Sequence, residues 1–494
     1  MLSHALARQP PTFLRSCRPF AAAPRTRARR TPGDDQRSMM PATTWYPNPA
    51  PYPPQPPTDW PVPPPPAPPG GPIPPTPPER PGRRGAAIVI AAVAAAVALI
   101  AVIVAGARVA GMDDRRVLTT EPATVPYPTS TSTTSPARRL DSVLPDLISF
   151  VERTRGLRFL TRPVVTPLDE ATFDRRLAAA QDQDLGEIDS QAVTWRALGL
   201  ITPSTDLRQA YQAAMQAGVL GFYDPSSKAL YVQGETITPL REAVIVHELT
   251  HALDDQRFDL QRLDRVKDPD AGAAFLALVE GSSKRVETAY RATFSPDDAA
   301  EAQREEAALG SGVDPLTLSL PLVVTLMAPY ELGEKFVDAL VAKGGTGALD
   351  AAFRSPPTTT EQIDQPAKYL AREAALPVAV AGPSEKVVEQ GTFGELEVRV
   401  LLFASDPFGS IDPSTIDPGQ LDQFQLSALL PAITTWGGGR FVSWQTSDGR
   451  SCVRFAIVEQ GGSAIKDKLS GWVARDGGRL STGPNGELVG DRCA

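Results

Sequence analysis

His247 and His251 stand four residues apart, with Glu248 beside the first, in the run His247-Glu248-Leu249-Thr250-His251. On an α-helix this spacing brings both imidazoles to one face, close enough for two nitrogens to share one tetrahedral Zn²⁺. Glu248 then faces the open position of that ion, where a carboxylate can take a proton from an attacking water. The implied chemistry is hydrolysis. The whole chain holds only three histidines, so finding two of them in this one pattern argues against a chance match.

A zinc site needs a third protein ligand. The remaining histidine, His4, lies beyond a long apolar stretch and cannot reach, which leaves a carboxylate. Glu280 is the candidate. It is the one acid in the apolar run Phe275-Leu276-Ala277-Leu278-Val279-Glu280-Gly281, where a carboxylate is costly unless a positive charge meets it. Glu287, two turns further along the same helix face, is the alternative. On an exposed helix Glu280 would merely pair with Lys284 at i, i+4.

These motifs form an ordered set with Gly218-Val219-Leu220-Gly221-Phe222-Tyr223-Asp224-Pro225, Ala229-Leu230-Tyr231-Val232, the run 247–256 (HELTHALDDQ), Val279-Glu280-Gly281, Pro329-Tyr330-Glu331-Leu332-Gly333 and Pro356-Pro357-Thr358-Thr359-Thr360-Glu361-Gln362-Ile363. From about Leu140 to the end, the chain resembles membrane-anchored zinc metallopeptidases of the gluzincin type from high-GC bacteria. The resemblance implies a compact zincin domain with His247, His251 and Glu280 on one Zn²⁺ and Glu248 as general base. The chain departs from that pattern in two places. Such proteins often read EGDA where this chain has Glu280-Gly281-Ser282-Ser283, and they often carry an acid where it has Lys284. The contact that orients a ligand histidine is therefore expected from Asp254 or Asp255.

Hydrolysis also needs a donor for the developing oxyanion. With no histidine to spare, Tyr223, Tyr290, Tyr330 and Arg285 are the candidates.

The elements that must position these groups are legible in part. Thr238 caps and Pro239 opens a helix carrying His247 and His251, with Ala243, Val244, Val246, Leu249, Ala252 and Leu253 on an apolar side. Asp268 and Pro269 open a second helix that carries Glu280. Phe222-Tyr223 and Leu230-Tyr231-Val232 read as a hairpin turning at Asp224-Pro225-Ser226-Ser227. Its outer strand is a place where an extended peptide can add as one more strand. Helices are also expected from Leu144 to Val151, over 170–180 and over 330–342, with an extended segment over 157–165.

The N-terminal part says where the chemistry happens. Residues 1–38 are basic, carry Cys17 and form no domain, and translation starting at Met39 or Met40 rather than Met1 would omit them. Residues 39–85 are proline-rich with interleaved Trp45, Tyr46, Tyr52 and Trp60, a disordered spacer and a potential ligand for a proline-binding domain. Residues 86–107 are unbroken Ala, Val, Ile, Leu and Gly; at about 1.5 Å per residue they span the roughly 30 Å hydrocarbon layer as a transmembrane helix. The stretch is too long and too far from the start for a cleaved signal peptide. Arg80, Arg83 and Arg84 precede it, while Asp113 and Asp114 dilute the arginines that follow. A cytoplasmic N-terminus and an extracytoplasmic remainder follow, at the plasma membrane. Residues 108–138 form a Thr/Ser/Pro-rich stalk.

The expected fold class is α+β: a mainly helical zincin-like domain over 139–375 with a small sheet or hairpin, then a small α+β domain over 386–494. In the latter, Glu395 to Phe403 alternates as a strand, and Arg440–Gln445 and Cys452–Val458 flank an Asp448-Gly449 turn. Cys452 and Cys493 are expected to form a disulfide outside the membrane. With a net charge of −8 and mixed signs beyond the basic N-terminus, no nucleic-acid footprint appears. Two functions remain: a zinc endopeptidase acting on a protein or peptide substrate, or a catalytically silent zincin-fold envelope protein serving as a binding or scaffolding module.

Overall fold

The computed structural model describes residues 90–93, 138–181, 185–310, 320–405, 430 and 433–494. The basic extension and the proline-rich segment lie outside the described residues, as does the stalk except for Arg138. Of the apolar stretch 86–107 only β1 (Ile90–Val93) is described, as a strand antiparallel to the strand Val219–Asp224. For those four residues the expected helix is therefore corrected. Short runs rich in Ile and Val can equally satisfy their backbone groups on a sheet edge. No described helix is long and apolar enough to cross a membrane.

The described chain is mixed α+β. It continues with β2 (Arg138–Arg139), α1 (Leu140–Arg155), β3 (Val164–Leu168), α2 (Glu170–Gln181), α3 (Leu185–Leu198) and α4 (Leu207–Gly218). Next come β4 (Val219–Asp224), β5 (Ala229–Gln233), β6 (Thr236–Ile237), α5 (Pro239–Phe258), α6 (Pro269–Arg291), α7 (Pro296–Gly310) and α8 (Leu320–Arg354). The remainder is α9 (Thr360–Asp364), α10 (Pro366–Ala371), β7 (Val387–Gly391), α11 (Glu395–Ser405), β8 (Trp436–Gln445), β9 (Ser451–Glu459), α12 (Ala464–Lys468), α13 (Ser470–Asp476), β10 (Arg479–Thr482) and β11 (Leu488–Cys493). The strands form a four-stranded sheet in the order β1-β4-β5-β3, a five-stranded sheet in the order β10-β11-β9-β8-β7, and the pair β2-β6.

The helix starts follow the local chemistry. Thr238 accepts the Arg241 N–H and Asp268 accepts the Ala271 N–H, each followed by a proline in the first helical turn. The β4–β5 hairpin forms with Asp224 accepting from the Ser226 backbone N–H and from the Ser226 and Ser227 hydroxyls. The expected helices over 170–180 and 330–342 lie within α2 and α8. The extended segment forms later than expected, as β3.

Two expectations are corrected here. Helix α5 is not amphipathic, being buried on every side from Glu242 to Asp255, because β4, α1, α6 and α7 all pack against it. Glu395 to Phe403 forms a helix rather than a strand. Its alternation suited either structure; in the fold a tertiary contact caps the helix start, the Leu396 N–H donating to the Thr360 hydroxyl, while the Val398 N–H makes the first-turn helical bond to the Gly394 carbonyl.

The hairpin around Asp448-Gly449 forms as β8 and β9 with Gly449 at φ 86°. Cys452 and Cys493 face each other across β9 and β11 and are joined by a disulfide. One apolar core runs through Trp195, Phe275, Phe336, Phe353, Phe455 and Trp472, so β8, β9 and α13 pack into the same interior as α6 and α8.

Candidate metal centre

The site lies where α6 crosses α5. His247 and His251 are fully buried with ring centroids 4.7 Å apart, as one turn of helix requires. Glu280 of α6 reaches between them. Its Oε2 lies 3.2 Å from His247 Nε2 and 3.5 Å from His251 Nε2. His251 Nε2 is buried with no hydrogen-bond partner, a costly state for an imidazole nitrogen unless something electrophilic meets it. An Nε2 pair and one carboxylate oxygen converging inside a buried pocket is a donor set that could hold a metal ion.

Glu248 lies in the same group, with ligand-capable atoms of His247, Glu248 and His251 all within 4.8 Å of one another. Its Oε2 accepts the Tyr223 backbone N–H at 2.8 Å. That bond ties it to β4, whereas the Glu280 oxygen faces both imidazoles. Gly221 lets the strand lie this close, since a Cβ there would stand 3.0 Å from Val244 and 3.8 Å from Glu248.

The far side of each ring is held as well. His247 Nδ1 is 3.1 Å from Glu287 Oε2, and His251 Nδ1 is 2.9 Å from Ser283 Oγ. Glu287 is fixed in turn by Lys284 at 3.2 Å and Arg291 at 2.7 Å. The geometry therefore separates the two candidate acids: Glu280 faces Nε2 atoms and Glu287 faces Nδ1. Asp254 and Asp255, expected to orient a histidine, do not. Asp254 binds Arg155 and the Ser282 hydroxyl, and Asp255 takes the Tyr223 hydroxyl, Lys228 and the Leu260 N–H. The signal missed in the sequence was the i, i+3, i+7 face of Glu280, Ser283 and Glu287 on one helix.

Charge in the pocket is unevenly shared. Burial works against a protonated His247, but hydrogen bonds to Glu280 and Glu287 outweigh it and carry its pKa to about 10. For His251 burial prevails over the pull of Glu280 and pushes the value down to about 4. Burial opposes ionisation of Glu280 and Glu287 as well. His251 and His247 hold the first carboxyl below its ordinary range, and Lys284 and Arg291 hold the second well below it.

Among the four candidate oxyanion donors, Tyr223 donates to Asp255, Tyr290 to Glu242, and Arg285 pairs with Asp338 on the surface. Tyr330 stands at the site, its ring centroid 5.9 Å from that of His247. Burial and the nearby charges of Glu280 and Glu248 raise its phenol pKa well above the ordinary value, so it stays protonated.

The outer edge of β4, expected to be open to a peptide, is covered by β1, with Ile90 opposite Tyr223 and Ala91 opposite Phe222. Compared with protein-family models, curated proteins and solved structures, the chain matches none of them.

Proposed function

We propose that this chain is a zinc-dependent endopeptidase, with His247, His251 and Glu280 holding one Zn²⁺ and Glu248 as general base. The observation that carries the reading is the single Glu280 oxygen poised between two Nε2 atoms, one of them otherwise unpartnered. When bound, the ion supplies Lewis acidity for attack on a peptide carbonyl.

The chain's own residues do the rest. Glu248, held by the Tyr223 N–H, accepts the proton of the attacking water and returns it to the leaving amine. Tyr330 donates to the oxyanion. Glu287 and Ser283 fix the ring orientations so that both Nε2 atoms point inward. The arginines that precede residue 86 support an extracytoplasmic site at the plasma membrane and a cytoplasmic proline-rich segment.

The test is metal analysis of purified protein together with cleavage of an unfolded polypeptide. One zinc per chain and cleavage abolished by Glu248→Gln, with zinc retained, are expected. Tyr330→Phe should lower kcat by about 10²–10³ with little change in KM. Zinc retained with no cleavage that depends on Glu248 would favour the silent scaffold instead.

A further inference from the structure

Well away from the histidines, the first turn of α6 meets α11 at two carboxyl groups. Asp270 is fully buried. Its Oδ1 accepts from the Thr360 N–H at 3.1 Å and the Thr360 hydroxyl at 2.6 Å, while its Oδ2 is buried without a partner. Glu397 Oε2 is likewise buried and unpartnered. The two groups close on one point beside Gly394: a Cβ on that residue would fall inside the Asp270 carboxyl and stand 2.7 Å from Glu397 Oε2. Only glycine fits there.

Ionised carboxylates accept hydrogen bonds and cannot donate them, so with both ionised the buried Asp270 Oδ2 and Glu397 Oε2 stay unsatisfied and the two groups repel. The strongest neighbouring charges make this worse. Asp268 and Glu361 act on Asp270, and Asp270, Asp268 and Glu389 act on Glu397, all of them acidic. The cations of this region are engaged elsewhere, Lys368 with Glu361 and Glu373, and Arg399 with Asp364. A single proton turns one carboxyl into a donor to the other and satisfies two orphaned oxygens at once.

We propose that Asp270 and Glu397 share one proton at neutral pH, and that this proton is a pH-sensitive latch between α6, the helix that carries Glu280, and α11. Burial and the surrounding acids raise both carboxyl pKa values. A raised folded-state pKa means the stabilisation is complete below the ordinary carboxyl range and is lost as pH climbs through about 8. Alkali opens the latch.

The test is the melting temperature of the whole protein from pH 5 to 9.5. The wild type should lose about 2 to 4 °C across neutrality. Glu397→Gln, whose amide can donate to Asp270 at any pH, should flatten that step and melt higher than wild type at pH 9. Glu395→Gln serves as the control. Burial raises that carboxyl to about 9, so it too loses stability as pH climbs through neutrality, and the step that persists in Glu395→Gln is the part owed to Asp270 and Glu397. Infrared difference spectra of the wild type at pH 7 should show a protonated carboxyl band that shifts in Asp270→Asn, a readout that stands even if Glu397→Gln folds poorly. A wild-type profile with no step overturns the latch. So does a rise in wild-type melting temperature at pH 9 on adding Ca²⁺ or Mg²⁺ that Glu397→Gln abolishes, since the pair would then hold a cation.

Discussion

Gly281 and Gly333 meet where α6 crosses α8, so closely that a Cβ on Gly281 would fall inside the Gly333 backbone and one on Gly333 inside the Ala277 carbonyl. This crossing sets Glu280, the neighbour of one glycine, and Tyr330, three residues before the other, around the same imidazoles. It gives Val279-Glu280-Gly281 and Pro329-Tyr330-Glu331-Leu332-Gly333 one shared physical purpose: close approach of two helix backbones. Gly333→Ala should force the helices apart, at a cost of about 1–3 kcal/mol, and should reduce zinc content together with melting temperature. Unchanged zinc stoichiometry in the folded variant would separate the crossing from the site.

The two acids on α6 should behave differently. Glu280→Gln removes the oxygen between the two Nε2 atoms and is expected to abolish stoichiometric zinc. Glu287→Gln keeps a hydrogen-bonding partner at His247 Nδ1 and should weaken zinc by about 10- to 100-fold without abolishing it. Competition against a chelator of known affinity measures both, and the reverse order would make Glu287 the ligand.

Ser283 Oγ is the group that meets His251 Nδ1, at 2.9 Å. Ser283→Ala leaves His251 Nδ1 without its partner in a fully buried setting, a loss of about 1–3 kcal/mol. Zinc affinity should fall accordingly while Glu248-dependent cleavage persists at saturating zinc. Ser283→Thr, which retains a hydroxyl, should restore most of the affinity.

Arg155 is 1% exposed and joins α1 to α5, with Asp254 and Asp350 each at 2.8 Å and the rings of Phe258 and Phe353 within 5.7 Å. Arg155→Met leaves Asp254 buried and uncompensated, at a cost of about 3–5 kcal/mol. Adding Asp254→Leu should recover part of that loss. Denaturant titration of the double-mutant cycle checks this, and simple additivity would show that the pair is not coupled.

The Cys452–Cys493 bond ties the last strand to β9 across a separation of 41 residues. Its reduction should cost about 2–4 kcal/mol, visible as a lower melting temperature in dithiothreitol. Cys452→Ala/Cys493→Ala should melt at the reduced value and show no further response to reductant.

The sequence by itself determined whatever depends on neighbours within a turn or two. An i, i+4 histidine pair shares a helix face wherever that helix packs, Thr238-Pro239 and Asp268-Pro269 start helices by satisfying local N–H groups, and Asp448-Gly449 turns a hairpin because glycine accepts positive φ. Glu280 was legible because an acid in an apolar run needs a positive partner. Only the tertiary structure decided which atom of each imidazole meets which acid, since Glu280 and Glu287 lie 33 and 40 residues from His247 and their roles follow from the angle at which α6 crosses α5. The same holds for Glu395 to Phe403. Its alternating pattern was compatible with a strand, and it became a helix because a hydroxyl from Thr360, distant in sequence, takes the Leu396 N–H. Local propensity carries a free energy of tenths of a kcal/mol per residue, and a buried backbone group left unpaired costs more than that.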